Sequence, residues 1–178
     1  LLESARLVSD EQIVLFVSTE AIAGDDVGEN TEEEISSLIP SLSWKKNYSV
    51  LQTQAATKED LQIDLYNHKP HILILSGKVG KQGLEFFLPE GGKTEIPAQY
   101  LTTYFEYHVE YLSLVLLLTE NSQRLAQTIS RLGIFTIGMA PDVPTETIHT
   151  FAQKFFLFLH LTQNIKKAFM EVTRALST

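Results

Sequence analysis

One glycine-rich segment has the residue types that could hold a phosphate or a catalytic group. It reads SGKVGKQG, from Ser76 to Gly83, and it directly follows the apolar run Ile72–Leu75. Phosphate loops need a Walker or a dinucleotide-binding glycine spacing, followed by a helix N-terminus. This segment has neither spacing, and the stretch after Gly83 is strand-like. We therefore expect Lys78 and Lys81 to be solvated and the glycines to form a turn.

An acidic segment in the first fifth of the chain is the second candidate. It contains seven carboxylates and no basic residue among them: Glu20, Asp25, Asp26, Glu29, Glu32, Glu33 and Glu34. Carboxylate oxygens bind divalent cations, but the order lacks the Asp-x-Asp-x-Asp-Gly pattern of a calcium loop. We expect a solvated loop whose last glutamates favour a helix N-terminus. Docking of a basic protein partner at Glu32, Glu33 and Glu34 is the functional alternative.

The histidines and serines do not form a recognisable catalytic or metal pattern. Pro70 separates His68 from His71, and His149 and His160 lie about three helical turns apart, too far to share a metal ion. No serine lies in a Gly-x-Ser-x-Gly elbow, so no Ser-His-Asp triad can be assigned. We expect no metal ion and no cofactor.

Composition narrows the classes of protein further. The chain has 178 residues, 44% of them hydrophobic, which predicts one globular domain spanning residues 1–178. The net charge of −8 disfavours nucleic acid and anionic membranes as partners. The absence of cysteine excludes a cysteine nucleophile. No apolar run reaches membrane-spanning length, which favours the cytoplasm, and the start at Leu1 suggests a module cut from a longer protein.

Strand and helix patterns alternate along the chain and must position these residues. We predict strands at 12–18, 48–53, 71–75, 111–118 and 133–139, a hairpin insert at 84–93, and helices starting near 31, 57, 97, 121, 145 and 162. This alternation predicts a mostly parallel sheet covered by helices on both faces, a three-layer α/β/α fold. The carboxyl ends of the strands then bring Ser18, Lys78, Glu120 and Pro141 to one edge.

Several short sequence motifs, in their order along the chain, resemble those of the CHAT family of caspase-like domains, which belong with the clan CD peptidases. They are KPHILILSG from Lys69 to Gly77, LVLL from Leu114, IGM from Ile137 and FAQKFF from Phe151. The resemblance runs from Ile13 to about Leu176. It implies a caspase-like α/β fold with a small β-hairpin insert, and a cleft formed by Ser76, Gly77, Lys78, Glu120 and Ser122.

The resemblance also implies that the peptidase chemistry is lost. In that family the strand ending in Ser-Gly is followed by the histidine that acts as general base, and here Lys78 occupies the place. Glu120 stands where the family has its cysteine nucleophile, and Ser122 matches the serine of the same motif. Loss of both groups removes nearly all the rate enhancement of such a site. We predict an ion pair between Lys78 and Glu120 in place of the catalytic pair.

The leading interpretation from sequence is a catalytically inactive caspase-like domain, a pseudoenzyme that serves as a protein-interaction or regulatory module in a signalling protein. Its contact surface would include Glu32, Glu33 and Glu34, the cleft, or Phe86 and Phe87 of the insert. Adjacent side chains of a regular strand point to opposite faces, so one phenylalanine is expected to be buried. The partner would be a protein of unknown identity.

Two other functions and one other fold remain open. The cleft could have become a new active site, with Glu120 as acid or base and Lys78 as an anion clamp, or it could sense a small ligand without chemistry. The alternative fold is a receiver-like or flavodoxin-like domain. Two features argue against a receiver domain. The first strand is followed by Ser18-Thr19-Glu20 and not by a tight acidic pair, and the third strand ends in Ser76, where a phosphorylatable aspartate would be needed.

Overall fold

The computed structural model describes residues 11–20 and 48–177. Within these ranges the chain forms seven strands and five helices. In chain order they are β1 (Gln12–Ser18), β2 (Tyr48–Thr53), α1 (Lys58–His68), β3 (Ile72–Ser76), β4 (Gly83–Phe87), β5 (Lys93–Pro97), α2 (Ala98–Glu106), β6 (Leu114–Leu118), α3 (Gln123–Ser130), β7 (Phe135–Ile137), α4 (Thr145–Thr162) and α5 (Ile165–Leu176). The helix predicted from Thr31 lies outside the described residues.

Five of the strands form one parallel sheet. Their order is β2-β1-β3-β6-β7, and all four neighbouring pairs run in the same direction. When the hairpin strands β4 and β5 are left aside, this is the doubly wound order 2-1-3-4-5, in which the strand order reverses between β1 and β3. The predicted parallel sheet is therefore confirmed. Ligands of such sheets bind at the carboxyl ends of the strands near this switch point.

Helices cover the sheet on both faces. Along β3, Ile72 and Ile74 pack with α4 and α5, whereas Leu73 and Leu75 pack with α1, α2, α3 and the hairpin. Successive side chains of a strand point to opposite faces, so a strand covered on both sides needs an apolar residue at every position. This explains the uninterrupted apolar runs of the sequence and confirms the predicted three-layer α/β/α arrangement.

Thr57 and Asp60 begin α1 with a capping box. The Asp60 amide donates to Thr57 Oγ1 at 3.1 Å, and the Thr57 amide donates to Asp60 Oδ2 at 2.8 Å. Two amide groups that no carbonyl within the helix can reach are thereby satisfied. The predicted cap at Thr57 is confirmed. In the part of the chain that the structure describes, no helix is both long and apolar enough to cross a lipid bilayer.

The glycine-rich segment forms the turn that leads into the hairpin. The Gly80 amide donates to the Gly83 carbonyl at 2.8 Å, and the Glu85 amide donates to the Lys78 carbonyl at 2.9 Å. The backbone of Gly83 lies against β5 so closely that a Cβ atom there would come within 1.9 Å of the Ile96 carbonyl oxygen. The segment therefore has a structural reason for its glycines, as predicted.

His71 joins the start of β3 to β1. Its amide donates to the Ile13 carbonyl at 2.9 Å, and its ring Nδ1 accepts from the Ile13 amide at 3.0 Å. Nδ1 can accept this hydrogen bond only when it carries no proton. Burial also lowers the pKa of His71, because the charged imidazolium is poorly solvated there.

Acidification should therefore weaken the fold through His71. The unfolded chain protonates this histidine near pH 6.5, above the pKa of the folded state, so the unfolded state binds more protons as the pH falls. Stability is fully present above pH 6.5 and is lost as the pH falls toward the folded pKa, with a slope of at most about 1.4 kcal/mol per pH unit for one proton. Urea unfolding at pH 7.5 and 5.5 measures this loss.

The matched variant for this experiment is His71→Asn, whose amide oxygen can accept from the Ile13 amide without titrating. It should lose less stability than the wild type between the two pH values. Equal losses in the two proteins would show that His71 does not titrate differently in the folded and unfolded states. The pKa of His108 is also lowered by burial, so the variant is expected to retain part of the acid sensitivity.

Candidate functional site

A cleft of about 610 Å³ lies at the carboxyl edge of the sheet, beside the first turns of α4. It is lined by the ends of β3 and β6, by the loops after β1, β3, β6 and β7, and by α4. Its polar and charged lining residues are Glu20, Ser76, Lys78, Thr119, Glu120, Asn121, Asp142, Thr145 and His149. Of the four residues predicted to share this edge, Lys78, Glu120 and Pro141 line the cleft, whereas Ser18 is buried at the end of β1.

Ser76 lines the cleft as the last residue of β3. It lies two residues after Ile74 and four after Ile72 in the same strand, and alternate side chains of a strand point to the same face. Its side chain therefore points to the face covered by α4. The residue is only 9% exposed. Its hydroxyl group forms no hydrogen bond within the described parts of the chain and faces the cleft.

Gly77 allows the next residue of the chain to pass close to β1. A Cβ atom at this position would lie 2.0 Å from Thr19 Oγ1. Thr19 is itself buried, and its hydroxyl has no hydrogen-bond partner among residues 11–20 and 48–177. A side chain at residue 77 would therefore require the Thr19 side chain to shift.

Lys78 does not form the predicted ion pair with Glu120. Its side chain is 70% exposed, and its Nζ lies 4.0 Å from Glu85 Oε1 on β4. Lys93 approaches the same carboxylate at 3.4 Å. The hairpin brings Glu85 next to Lys78, since the Glu85 amide donates to the Lys78 carbonyl. This local carboxylate satisfies the lysine, while Glu120 remains exposed in the loop after β6.

Ser122 was predicted in the cleft, but the structure places it beneath the cleft loops. It is completely buried; its Oγ donates to the Thr119 carbonyl at 2.7 Å and accepts from the Met139 amide at 2.8 Å. The Asn121 amide also donates to the Ala140 carbonyl at 3.2 Å. Ser122 therefore ties the loop after β6 to the chain after β7 and positions cleft residues without lining the cleft.

The two phenylalanines proposed for partner docking are not equally available. Phe86 is fully buried against α1 and α2, because the hairpin folds over that face of the sheet. Phe87 points the other way, is half-buried, and lies 5.3 Å from Lys93 Nζ in a cation–π contact. Phe86 is thus excluded as a docking residue, and one of the pair is buried as the strand alternation predicts. Glu32, Glu33 and Glu34 lie outside the described residues.

Sequence reasoning missed Asp142 and His149 among the titratable residues of the cleft. Asp142 follows β7 with a left-handed backbone (φ of 62°), and His149 lies on the second turn of α4. The signal that could have found Asp142 was its place three residues after the predicted strand end at Met139. His149 was expected only to be too far from His160 to share a metal ion, and its place in the cleft was not predicted. Among the described residues, no three His, Cys, Asp or Glu side chains are grouped to hold a metal ion.

The strand order and the position of the cleft define a doubly wound α/β domain with the flavodoxin-like order 2-1-3-4-5. No protein-family model and no curated protein matches this chain. Among solved structures it is similar to the RcsB response regulator of Salmonella typhimurium, with 13% identity and a TM-score of 0.52 over 90% of this chain and 70% of that chain. This similarity shows the fold.

Two further structures are receiver or response-regulator proteins. The signal receiver domain of a Luxo repressor protein from Vibrio parahaemolyticus is 14% identical, with a TM-score of 0.47 over 90% of this chain and 95% of that chain. A response regulator from Desulfuromonas acetoxidans is 14% identical, with a TM-score of 0.42 over 85% of this chain and 98% of that chain.

These comparisons correct the family expected from sequence. RcsB is a response regulator and not a CHAT or caspase-like protein, so the interpretation of this chain as a caspase-like pseudopeptidase was wrong. The sequence motifs that suggested a caspase-like domain are an apolar strand followed by Ser-Gly, a second apolar strand and an amphipathic helix. Different doubly wound α/β domains share such sequence motifs, because their buried strands and packed helices require the same residue types.

Proposed function

We propose that this chain is a receiver-like regulatory module of a signalling protein and that its cleft works without an aspartyl phosphate. The observation that carries the proposal is Ser76 at the carboxyl end of β3, the position where a receiver domain needs its phosphorylatable aspartate. A serine hydroxyl cannot form the acyl phosphate that such a carboxylate forms. The receiver-type sheet and its cleft are nevertheless present.

The carboxylates of the cleft come from other positions and support a binding role. Glu20 follows β1, Glu120 follows β6 and Asp142 follows β7. The Ser76 hydroxyl has no hydrogen bond to a general base within the described residues, as nucleophilic catalysis would require. We infer that the cleft binds a ligand or a partner group without converting it, and that the bound state is passed on to another protein.

Treatment with acetyl phosphate and Mg²⁺ tests this proposal. The intact mass of the protein should show no added phosphoryl group, while a phosphorylation-competent receiver domain in the same buffer should be modified. An adduct on this chain, especially one lost in the variant Asp142→Asn or Glu120→Gln, would contradict the proposal. It would show that a carboxylate outside β3 has taken the role of phosphoacceptor.

A further inference from the structure

We infer that the cleft binds an organic cation, an ammonium or guanidinium group, between Ser76 and Glu120. This inference rests on the proposed function, since it names the class of ligand for the same cleft. It follows from the charge of the lining residues, from a cleft hydroxyl that has no hydrogen bond within the described residues and from the apolar side chains that also line the cleft.

The charges of the cleft are unbalanced in favour of a cation. Three carboxylates line it, those of Glu20, Glu120 and Asp142, against the single lysine Lys78. The lysine is engaged by Glu85 on the hairpin, outside the cleft lining. None of the three carboxylates forms an ion pair within the part of the chain that the structure describes. An entering cation would meet carboxylates that no protein cation neutralises.

The Ser76 hydroxyl is a second and independent sign of a ligand. More than nine-tenths of this residue is buried, it lines the cleft, and its hydroxyl makes no hydrogen bond among the described residues. The hydroxyl oxygen is therefore available to a ligand that enters the cleft. An ammonium or guanidinium N–H group can donate to this oxygen while its charge faces Glu120.

The neighbouring residues favour an organic cation over a metal ion or an anion. Calcium and magnesium need a close shell of oxygen ligands, and no metal-binding cluster exists among the described side chains. Val79, Leu118 and Ile148 form an apolar wall of the cleft that can cover the methylene groups beside an ammonium or guanidinium group. The carboxylates would repel an anion.

The helix dipole of α4 decides which carboxylate holds the cation. Thr145, the first residue of this 18-residue helix, lines the cleft, and no side chain caps the helix N-terminus. The partial positive charge of a helix N-terminus repels a cation within about one turn. Asp142 lies three residues before that end, whereas Glu120 follows β6 on the sheet side. We therefore place the cation at Glu120 and Ser76.

Agmatine is a suitable probe, because it carries an ammonium and a guanidinium group on a short alkyl chain. Isothermal titration of the whole chain should show saturable binding. Glu120→Gln should weaken the binding at least tenfold and Ser76→Ala about threefold. Glu106→Gln removes the same charge from an exposed position on α2, away from the cleft, and should change the binding less than twofold.

A capped Ala-Arg-Ala peptide distinguishes a free small molecule from a partner protein as the source of the cation. Binding of the peptide but not of agmatine would support the inference and assign the cation to an arginine of a partner. Binding of neither probe, binding that Glu120→Gln leaves unchanged, or preferential binding of succinate would overturn it. A phosphoryl adduct in the acetyl phosphate experiment would instead overturn the proposed function and leave the cation titration to be judged separately.

Discussion

Replacement of Gly83 by alanine should lower the free energy of unfolding by about 3 kcal/mol, the upper part of the usual range for overpacked positions. Gly83 is the first residue of β4 and pairs with Pro97 of β5. A Cβ atom there would lie 1.9 Å from the Ile96 carbonyl oxygen and 2.8 Å from Pro97 Cα. Both neighbours are backbone atoms, so no rotamer change can make room and the two strands must separate.

Separation of the hairpin strands would also disturb the core. Phe86 of β4 is fully buried against α1 and α2, and the Phe87 amide donates to the Ala56 carbonyl at 3.2 Å. Urea unfolding monitored by circular dichroism measures the loss of stability. A loss below about 0.5 kcal/mol, the size expected of a surface substitution, would show that the strands adapt without cost.

The matched control is Gly80→Ala in the same turn. Its Cβ atom would meet the Glu95 carboxylate, with the nearest oxygen at 2.0 Å, and this exposed side-chain end can rotate away. The rotation removes the hydrogen bond from the Gln82 amide to Glu95 Oε2, so we expect a loss of about 1 kcal/mol. The two variants differ in whether backbone or side chain must move. Equal losses would contradict this explanation of the glycine-rich segment.

Replacement of Ser122 by alanine should lower the free energy of unfolding by about 2 kcal/mol. The hydroxyl accepts from the Met139 amide and donates to the Thr119 carbonyl, and the residue has no exposed surface. Alanine leaves the Met139 amide without this partner in a buried place, and an unsatisfied buried donor costs about 1–3 kcal/mol. The measurement is again the free energy of unfolding, from urea titration.

Ser130→Ala provides the control for Ser122. Ser130 Oγ donates to the Gln127 carbonyl at 2.8 Å, three residues earlier, as Ser122 Oγ does to Thr119. Ser130 is exposed, so water can replace its hydrogen bond and the expected loss is below about 0.5 kcal/mol. If the two serine variants lost the same stability, the contact between Ser122 and Met139 would not hold the cleft loops together.

The sequence was sufficient for the layers of the fold and for the edge that carries the cleft. Continuous apolar runs such as Ile72–Leu75 predict strands buried on both faces, because a side chain on each face of the strand meets a helix. The alternation of these runs with amphipathic segments then predicts a parallel sheet, whose strand ends meet at one edge. Lys78, Glu120 and Pro141 were placed at this edge from strand ends alone, and they line one cleft.

The short sequence motifs could not show which family of doubly wound domains the fold resembles. The strand, the Ser-Gly turn and the amphipathic helix that suggested a caspase-like domain are requirements of burial and turn geometry. The order of the strands in the sheet and the similarity to receiver domains are properties of the assembled fold. Short sequence motifs carry little information about the order of the strands. That order depends on the side of the sheet on which each connection between strands crosses.

Sequence by itself determined the residue types of this protein: the absence of cysteine, the serine at the end of the third strand and the carboxylates after the other strands. Only the tertiary structure decided what each of them contacts. Lys78 lies next to Glu85 of the hairpin, and the buried Ser122 hydroxyl accepts a hydrogen bond from the Met139 amide. The physical reason is that side-chain contacts form between elements far apart in the chain, whereas sequence patterns report the periodicity within each element.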